Sequence, residues 1–362
     1  MISFEAVTKR VGPAVPVLAA VTANAASNRV TVILGPAERG PSMMLRLVNR
    51  IEQPDQGLVR LGGDDVASLG QVALRRRIGW YSTTLFPHLT ATQNVVTVAR
   101  LQRAQRRGAV GRASDLLDRF GVPARLYDEP VSRLSPLNRS RVALARAVAG
   151  APEIVLIDEP FQSLDHAAIR EFVTLLATYI DEFHPTVVLA TGDLEPMLGI
   201  ADEVHVIGSS GRLLQSGRPV HLLTDPVDPE VETLVGRSRG LRRLALASAE
   251  GIEPDATPVI PLGTTVDVAR TVAAACGRWL LVTQNDRPIG WLDTDRLGNG
   301  PLTEVPLVAV GVPIATTDSM LDVLDRIVAS PSRLAMRCDD DGAALGVVSL
   351  SSLEPHLPGA TL

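Results

Sequence analysis

Gly35, Gly40 and Ser42, in the stretch GPAERGPS, have the spacing of a loop whose backbone N–H groups cradle a phosphate. A strand-like run, Val32-Ile33-Leu34, leads in, and an apolar helix-like run with Leu45, Leu47 and Val48 leads out. The pattern Gly-x-x-x-x-Gly-Lys-Ser/Thr asks for lysine where this chain has Pro41. Proline brings neither the positive charge nor an N–H donor. It does suit the first turn of a helix, so the strand-to-helix turn can persist while its phosphate chemistry is lost. Lys9 is the only lysine of the chain, so no nearby lysine can stand in. Cys276 and Cys338 are far apart and read as reduced, buried thiols, and the six histidines form no ligand pair on a helix.

The elements that must hold this loop can be read from periodicity. Strand-like runs at 30–35, 57–62, 154–158, 186–191 and 203–207 alternate with helix-like runs at 41–51, 93–105, 112–120, 138–149 and 166–183. This predicts an α/β domain with a largely parallel sheet over residues 1–221. The continuously apolar Ile154-Val155-Leu156-Ile157 suits a central strand covered on both faces. Residues 222–250, rich in proline, acids and then arginine, read as a linker ending in a short helix. Two similar units follow, over 251–300 and 301–362, each reading strand, helix, strand, polar turn, strand. Two copies suggest a pseudo-symmetric pair rather than a solenoid.

The bulk values are those of an ordinary globular chain: 362 residues, 46% hydrophobic, 21% charged, net charge -5. They give no electrostatic case for nucleic acid. No apolar run approaches the roughly 20 residues of a bilayer helix, and MISFEAVTKR lacks an apolar signal core. A cytoplasmic chain is expected, touching the membrane only through a partner.

Four segments, in order, resemble ATP-binding-cassette ATPases: GPAERGPS; LFPHLTATQNV; SRLSPLNRSRVALARAVAGAPEIVLIDEPFQSLD at 132–165; and TVVLATGDLEPMLGIADEVHVIGSSGRLLQSGRP. LRLVNRIEQPDQGLVRLGGDDV, LVGRSRGLRRLAL and the final pair of repeats, which looks like tandem CBS domains, are similar to the ATPase subunit of glycine betaine, choline and carnitine importers. The resemblance implies a P-loop ABC-ATPase fold: a RecA-like core, a helical subdomain at about 88–140 and an antiparallel β subdomain. A CBS module follows it. ATP and Mg²⁺ are the implied ligands. The implied partners are a second ATPase subunit, identical or paralogous, and a membrane permease.

Carried over position by position, the resemblance places Gly35, Pro36, Ala37, Glu38, Arg39, Gly40, Pro41 and Ser42 in the phosphate loop and Val11 where an aromatic stacks on adenine. Glu38 replaces a glycine, and Arg39 is the one cation there. YSTT stands in place of the loop glutamine. The signature reads Leu134-Ser135-Pro136-Leu137-Asn138, with Pro136 and Leu137 in place of two glycines. Gly192 occupies the switch-histidine position. Asp158 and Ser42 remain for Mg²⁺, and Glu159 remains as the general base. In the family each ATP lies between one subunit's phosphate loop and its partner's signature, and here both are altered. An importer subunit with impaired ATP binding and hydrolysis, acting structurally or in regulation, is expected. The alternatives are a slow but working ATPase using Arg39 and Glu159, and a non-enzymatic sensor reading a ligand through its repeats. In those repeats Gly290, Asp293 and Arg296 in the first match Gly346, Ser349 and Ser352 in the second. Leu85, Phe86, Pro87 and His88 belong to the segment that implies permease docking.

Overall fold

The computed structural model describes residues 1–12, 16–36, 40–101, 109–236, 239–255, 259–298, 302–339 and 341–353. The chain forms two units, Met1–Arg237 and Ser238–Leu362.

The first unit is built on two sheets. Strands β1 (Ile2–Lys9), β2 (Leu18–Ala25), β4 (Gln56–Leu61) and β5 (Asp64–Asp65) form an antiparallel sheet in the order β2-β1-β4-β5. The other sheet contains β3 (Val30–Leu34), β6 (Ile78–Tyr81), β7 (Ile154–Asp158), β8 (Thr186–Thr191), β9 (Glu203–Ile207) and β10 (Leu213–Gly217), in the order β10-β9-β3-β8-β7-β6. Its β3, β6, β7, β8 and β9 run parallel, and β10 is antiparallel at the edge. β3 and β8 are buried at every position, as strands covered on both faces must be. Because β3, β8 and β7 are neighbours, their carboxyl ends bring Gly35, Gly192 and Glu159 to one edge of the sheet, where ligands of such folds sit.

Helices α1 (Gly40–Val48), α2 (Gln71–Arg77), α3 (Ala91–Leu101), α4 (Ala109–Arg119), α5 (Pro136–Val148), α6 (His166–Phe183), α7 (Pro219–Thr224) and α8 (Pro229–Val235) complete the unit. Their starts are written in caps. Ser135 caps α5, with Pro136 at its first position, and Asp165 caps α6 by accepting from Ala168 N–H at 2.8 Å. α3 starts at Thr90-x-x-Gln93, where Thr90 N–H donates to Gln93 Oε1 (3.0 Å) and Gln93 N–H to Thr90 Oγ1 (3.2 Å). α1 stops at Val48, short of the expected residue 51, and Arg50 takes a left-handed φ of 52°. The expected linker, 222–250, needs correction. Proline-initiated α7 and α8 lie in the first unit, and α9 (Arg239–Leu246) lies in the second. The prolines there start helices rather than interrupt them.

The second unit repeats one pattern twice. In the first copy, β11 (Val259–Pro261), α10 (Val266–Cys276), β12 (Trp279–Gln284) and β13 (Arg287–Asp293) pair as parallel β11–β12 and antiparallel β12–β13. In the second, Ile314 bridges Arg337 in parallel, α11 (Met320–Ala329) follows, and β14 (Ala335–Cys338) pairs antiparallel with β15 (Ala344–Val348). α12 (Leu350–Leu353) closes it. The copies exchange backbone: Val308, ahead of the second, pairs with Trp291 of β13, and Asp255, ahead of the first, pairs with Val347 of β15. Both crossings need glycine. A Cβ at Gly290 would stand 2.5 Å from Leu307 Cβ, and one at Gly346 2.6 Å from Asp255 O. Leu281, Trp291, Met336 and Val347 form a core shared by both copies.

Asp293, 2% exposed, accepts two 2.8 Å hydrogen bonds from Arg278. The Arg278 guanidinium holds its carboxyl below the usual carboxylate range, and Arg326 does the same to Asp318. A depressed carboxylate stabilises the fold above its unfolded pKa, about 4. That contribution fades as pH falls through the lower folded value. The second unit should therefore lose stability progressively below about pH 4. Asp293→Asn should flatten that slope in thermal melts recorded across pH.

Candidate functional site

β3 delivers the phosphate-loop segment at Gly35, whose N–H donates to Thr191 O at 3.2 Å. A Cβ on Gly35 would meet Ile207 O at 2.5 Å and Pro41 Cγ at 2.9 Å, so the Pro41 ring lies close against this glycine. Gly40, the first residue of α1, is equally confined: its Cβ would stand 2.6 Å from Ile207 Cγ2 and 3.1 Å from Val17 O. Pro41 is buried in that first turn, and Pro36 is half-buried. Ala37, Glu38 and Arg39 lie outside the described residues.

Ser42 and Asp158, 116 positions apart, meet: Ser42 Oγ donates to Asp158 Oδ1 at 2.6 Å. Ser42 is 6% exposed and Asp158 closes β7 at the sheet edge. Glu159 follows in the left-handed region, φ 43°, and its N–H donates to Ala190 O at 3.0 Å. Adjacent carbonyls at the end of β8 thus hold two loops: Ala190 O takes Glu159 and Thr191 O takes Gly35. Such an uncommon backbone conformation for glutamate persists only where the surroundings fix it. Gly192, beyond Thr191, is exposed and offers no side chain at the switch position.

These residues fit the two implied ligands unequally. A hydroxyl joined to a carboxylate is a hard-oxygen pair, which suits Mg²⁺. The described phosphate side offers Gly35, Gly40 and a proline ring, with no cationic side chain among Gly35, Pro36, Gly40, Pro41 and Ser42. Val11 is 59% exposed in the bend after β1 and has no ring to stack on a base.

The signature residues form the start of α5. Ser135 Oγ accepts from Asn138 N–H at 3.4 Å, Pro136 lacks an N–H, and Leu134 is buried at 6%. Asn138 turns its carbonyl toward the helix and accepts from Arg141 Nη1 at 2.9 Å, while Arg141 also pairs with Glu171. One donor of this helix start is absent and another is taken by the cap.

Three residues that the sequence reading missed organise a second site. Asn94, fully buried, accepts from Phe86 N–H at 2.9 Å and donates to Phe86 O at 3.2 Å and Thr90 O at 3.0 Å. It fixes the loop carrying Phe86, Pro87 and His88. Arg146 of α5 donates to Ser82 O at 2.8 Å and Thr84 O at 3.2 Å, so it clamps the YSTT segment. Beside them lies a groove of about 390 Å³, walled by Val72, Trp80, Phe86 and Val98, to which Asn49 contributes. The capping pair Thr90-x-x-Gln93 was a readable signal for this loop. Asn94 gave none, because a polar residue in a helix ordinarily faces water.

The two-sheet α/β core, its Ser42–Asp158 pair and the loops at the ends of β3, β7 and β8 define a P-loop nucleotide-binding fold of the ATP-binding-cassette type. The ABC transporter family profile matches residues 18–162. The glycine betaine uptake system ATP-binding protein YehX of Escherichia coli (strain K12) is 33% identical over 254 residues, 68% of this chain and 81% of that protein. The osmoprotectant import ATP-binding protein OsmV of Salmonella typhimurium is 27% identical over 99% of this chain and 96% of its own length. Among solved structures, a dimeric ATP-binding cassette in a post-hydrolysis state with ADP and Pi superposes with a TM-score of 0.55 at 26% identity, over 60% of this chain and 98% of that one. The chain belongs to the ABC transporter ATP-binding family. Among the described residues no helix is long and apolar enough to cross a membrane.

Proposed function

We propose that this chain is the ATP-binding-cassette subunit of an osmoprotectant importer of the glycine betaine or choline type, with impaired ATP binding and hydrolysis. In this reading it works in pairs beneath a membrane permease, on the cytoplasmic face, and its role is structural or regulatory. The observation that carries the impairment is the Pro41 ring seated against Gly35, while Ser42 and Asp158 keep their 2.6 Å contact. The metal side of the site is retained and its phosphate side is not. The altered signature start and the exposed Val11 support the same reading, because phosphoryl transfer depends almost wholly on positioning and electrostatics. The groove at Phe86 supports docking to a permease. The paired repeats of the second unit support a CBS-like module, in which Arg278 already engages the Asp293 carboxylate.

A slow but working ATPase is the second reading, favoured by the fixed backbone of Glu159 beside Asp158. Hydrolysis by the purified chain separates them. Under the first reading any background rate should be unchanged by Glu159→Gln. A fall of about 100-fold or more would establish Glu159 as a working base and overturn the impairment. A ligand sensor acting through the repeats alone would be favoured if no permease co-purifies.

A further inference from the structure

We infer that the outer face of the antiparallel sheet carries a binding site for a small organic phosphate, held by Arg10, Arg212, Thr8 and Thr22. Such a site stands apart from the importer reading, since none of the phosphate-loop residues lines it.

The sheet is irregular where it forms this face. Between Phe4 and Val7, β1 sets two residues, Glu5 and Ala6, against the single Thr22 of β2. Between Val7 and Lys9 the order reverses, and β2 sets Ala19 and Ala20 against the single Thr8. Each strand thus carries one β-bulge. Ala6 and Ala20 take left-handed φ values of 48° and 50°. A bulge leaves an N–H outside the ladder. Here the opposing threonine takes it: Ala6 N–H donates to Thr22 Oγ1 and Ala20 N–H to Thr8 Oγ1, both at 3.0 Å. A hydroxyl held through its oxygen keeps its own hydrogen to donate. Neither threonine hydroxyl has an acceptor among the described residues. Gly57 completes the frame. A Cβ there would stand 2.4 Å from Glu5 O and 2.5 Å from Ala6 O, so glycine lets β4 close on the bulge and bring Gln56 to the same groove.

The groove holds about 640 Å³. Arg10 and Arg212 bring two guanidinium groups to it, and no aspartate or glutamate lines it. Asp55, near Arg10, is already engaged: Lys9 Nζ lies 3.5 Å from its carboxylate, and the Arg10 N–H donates to it at 2.6 Å. Val7, Leu18 and Val21 share the buried core with Met43 and Met44 of α1. Alternation along the strands therefore turns Thr8 and Thr22 to the opposite face, away from the helix that the phosphate loop begins.

Each feature narrows the ligand. Two guanidinium groups and two oriented hydroxyl donors, with no carboxylate among them, suit an oxyanion that accepts several hydrogen bonds. A phosphate ester offers three terminal oxygens and nearly two charges, where a carboxylate offers two oxygens and one charge. Inorganic phosphate would leave most of the groove empty, since its volume is that of small-molecule sites, about 300–1,000 Å³. Pro16, Ala19 and Leu213 give an organic body an apolar surface, and the Gln56 amide can pair with a hydroxyl on it.

The test titrates the full chain with ribose 5-phosphate, inorganic phosphate and ribose, by calorimetry and by amide NMR. Ribose 5-phosphate is expected to bind at about millimolar or tighter, roughly threefold or more tightly than inorganic phosphate, and ribose not at all. The Ala6 and Ala20 amides should shift as their acceptor hydroxyls gain a partner. Arg212→Glu, at an exposed position, should weaken binding by about tenfold or more with the thermal melt unchanged. Thr22→Val should weaken it as well, and Thr22→Ser, which keeps the hydroxyl, should not. No binding of ribose 5-phosphate at about 10 mM, or binding unmoved by Arg212→Glu, would overturn the inference. Shifts confined to the Gly35 and Gly40 amides would place the phosphate in the loop ahead of α1 and overturn it too. Inorganic phosphate binding as tightly as the ester would remove the organic body from the assignment.

Discussion

Pro41→Lys is expected to tighten MgATP binding by about 10- to 100-fold, measured by calorimetry on the purified chain. A charge-assisted hydrogen bond contributes about 1.5–3 kcal/mol, and each 1.4 kcal/mol is a factor of ten. The substitution restores an ammonium group and an N–H donor and takes the ring away from Gly35. The parent should bind no more tightly than millimolar, because Val11 would still leave the base without a stacking partner, which is worth about 1–3 kcal/mol at nucleic-acid sites. Micromolar binding by the parent, or no gain in the variant, would remove Pro41 as the cause of impairment. Hydrolysis need not return with binding. Pro136 and Leu137 at the signature and Gly192 at the switch are unaltered in that variant.

Asn94→Ala should cost about 3–5 kcal/mol of stability in the first unit, read by urea denaturation of the full chain. The side chain is fully buried and binds both backbone groups of Phe86 as well as Thr90 O. Alanine leaves those groups unpaired inside the protein, which is worse than removing both sides of each bond. A near-neutral effect on stability would mean that water replaces the amide.

Much of the first unit was legible because its signals are local. The strands at 154–158, 186–191 and 203–207 were bounded correctly, and α6 begins at its Asp165 cap. Ser42 and Asp158 could be named in advance through the ordered motifs, although 116 positions separate them. What stayed hidden depends on tertiary contact. Nothing in Pro41 as a residue type says that its ring will rest on Gly35, and nothing in Asn94 says that it is buried. Nothing in Arg146 as a helical residue says that it will hold the carbonyls of Ser82 and Thr84. The 222–250 stretch misled because proline both ends and begins helices, and composition alone does not tell which.

The reciprocal crossings of the second unit have a consequence for what can be removed. The segment holding Asp255 completes the sheet of the later copy, and the one holding Val308 completes the sheet of the earlier copy. Neither copy is therefore a closed body. Cutting the chain between them would expose an open sheet edge and half of a shared core on each fragment. Each copy lends a segment to the other's sheet, as the subunits of a strand-swapped dimer do. A truncation that spares the first copy would still unravel it.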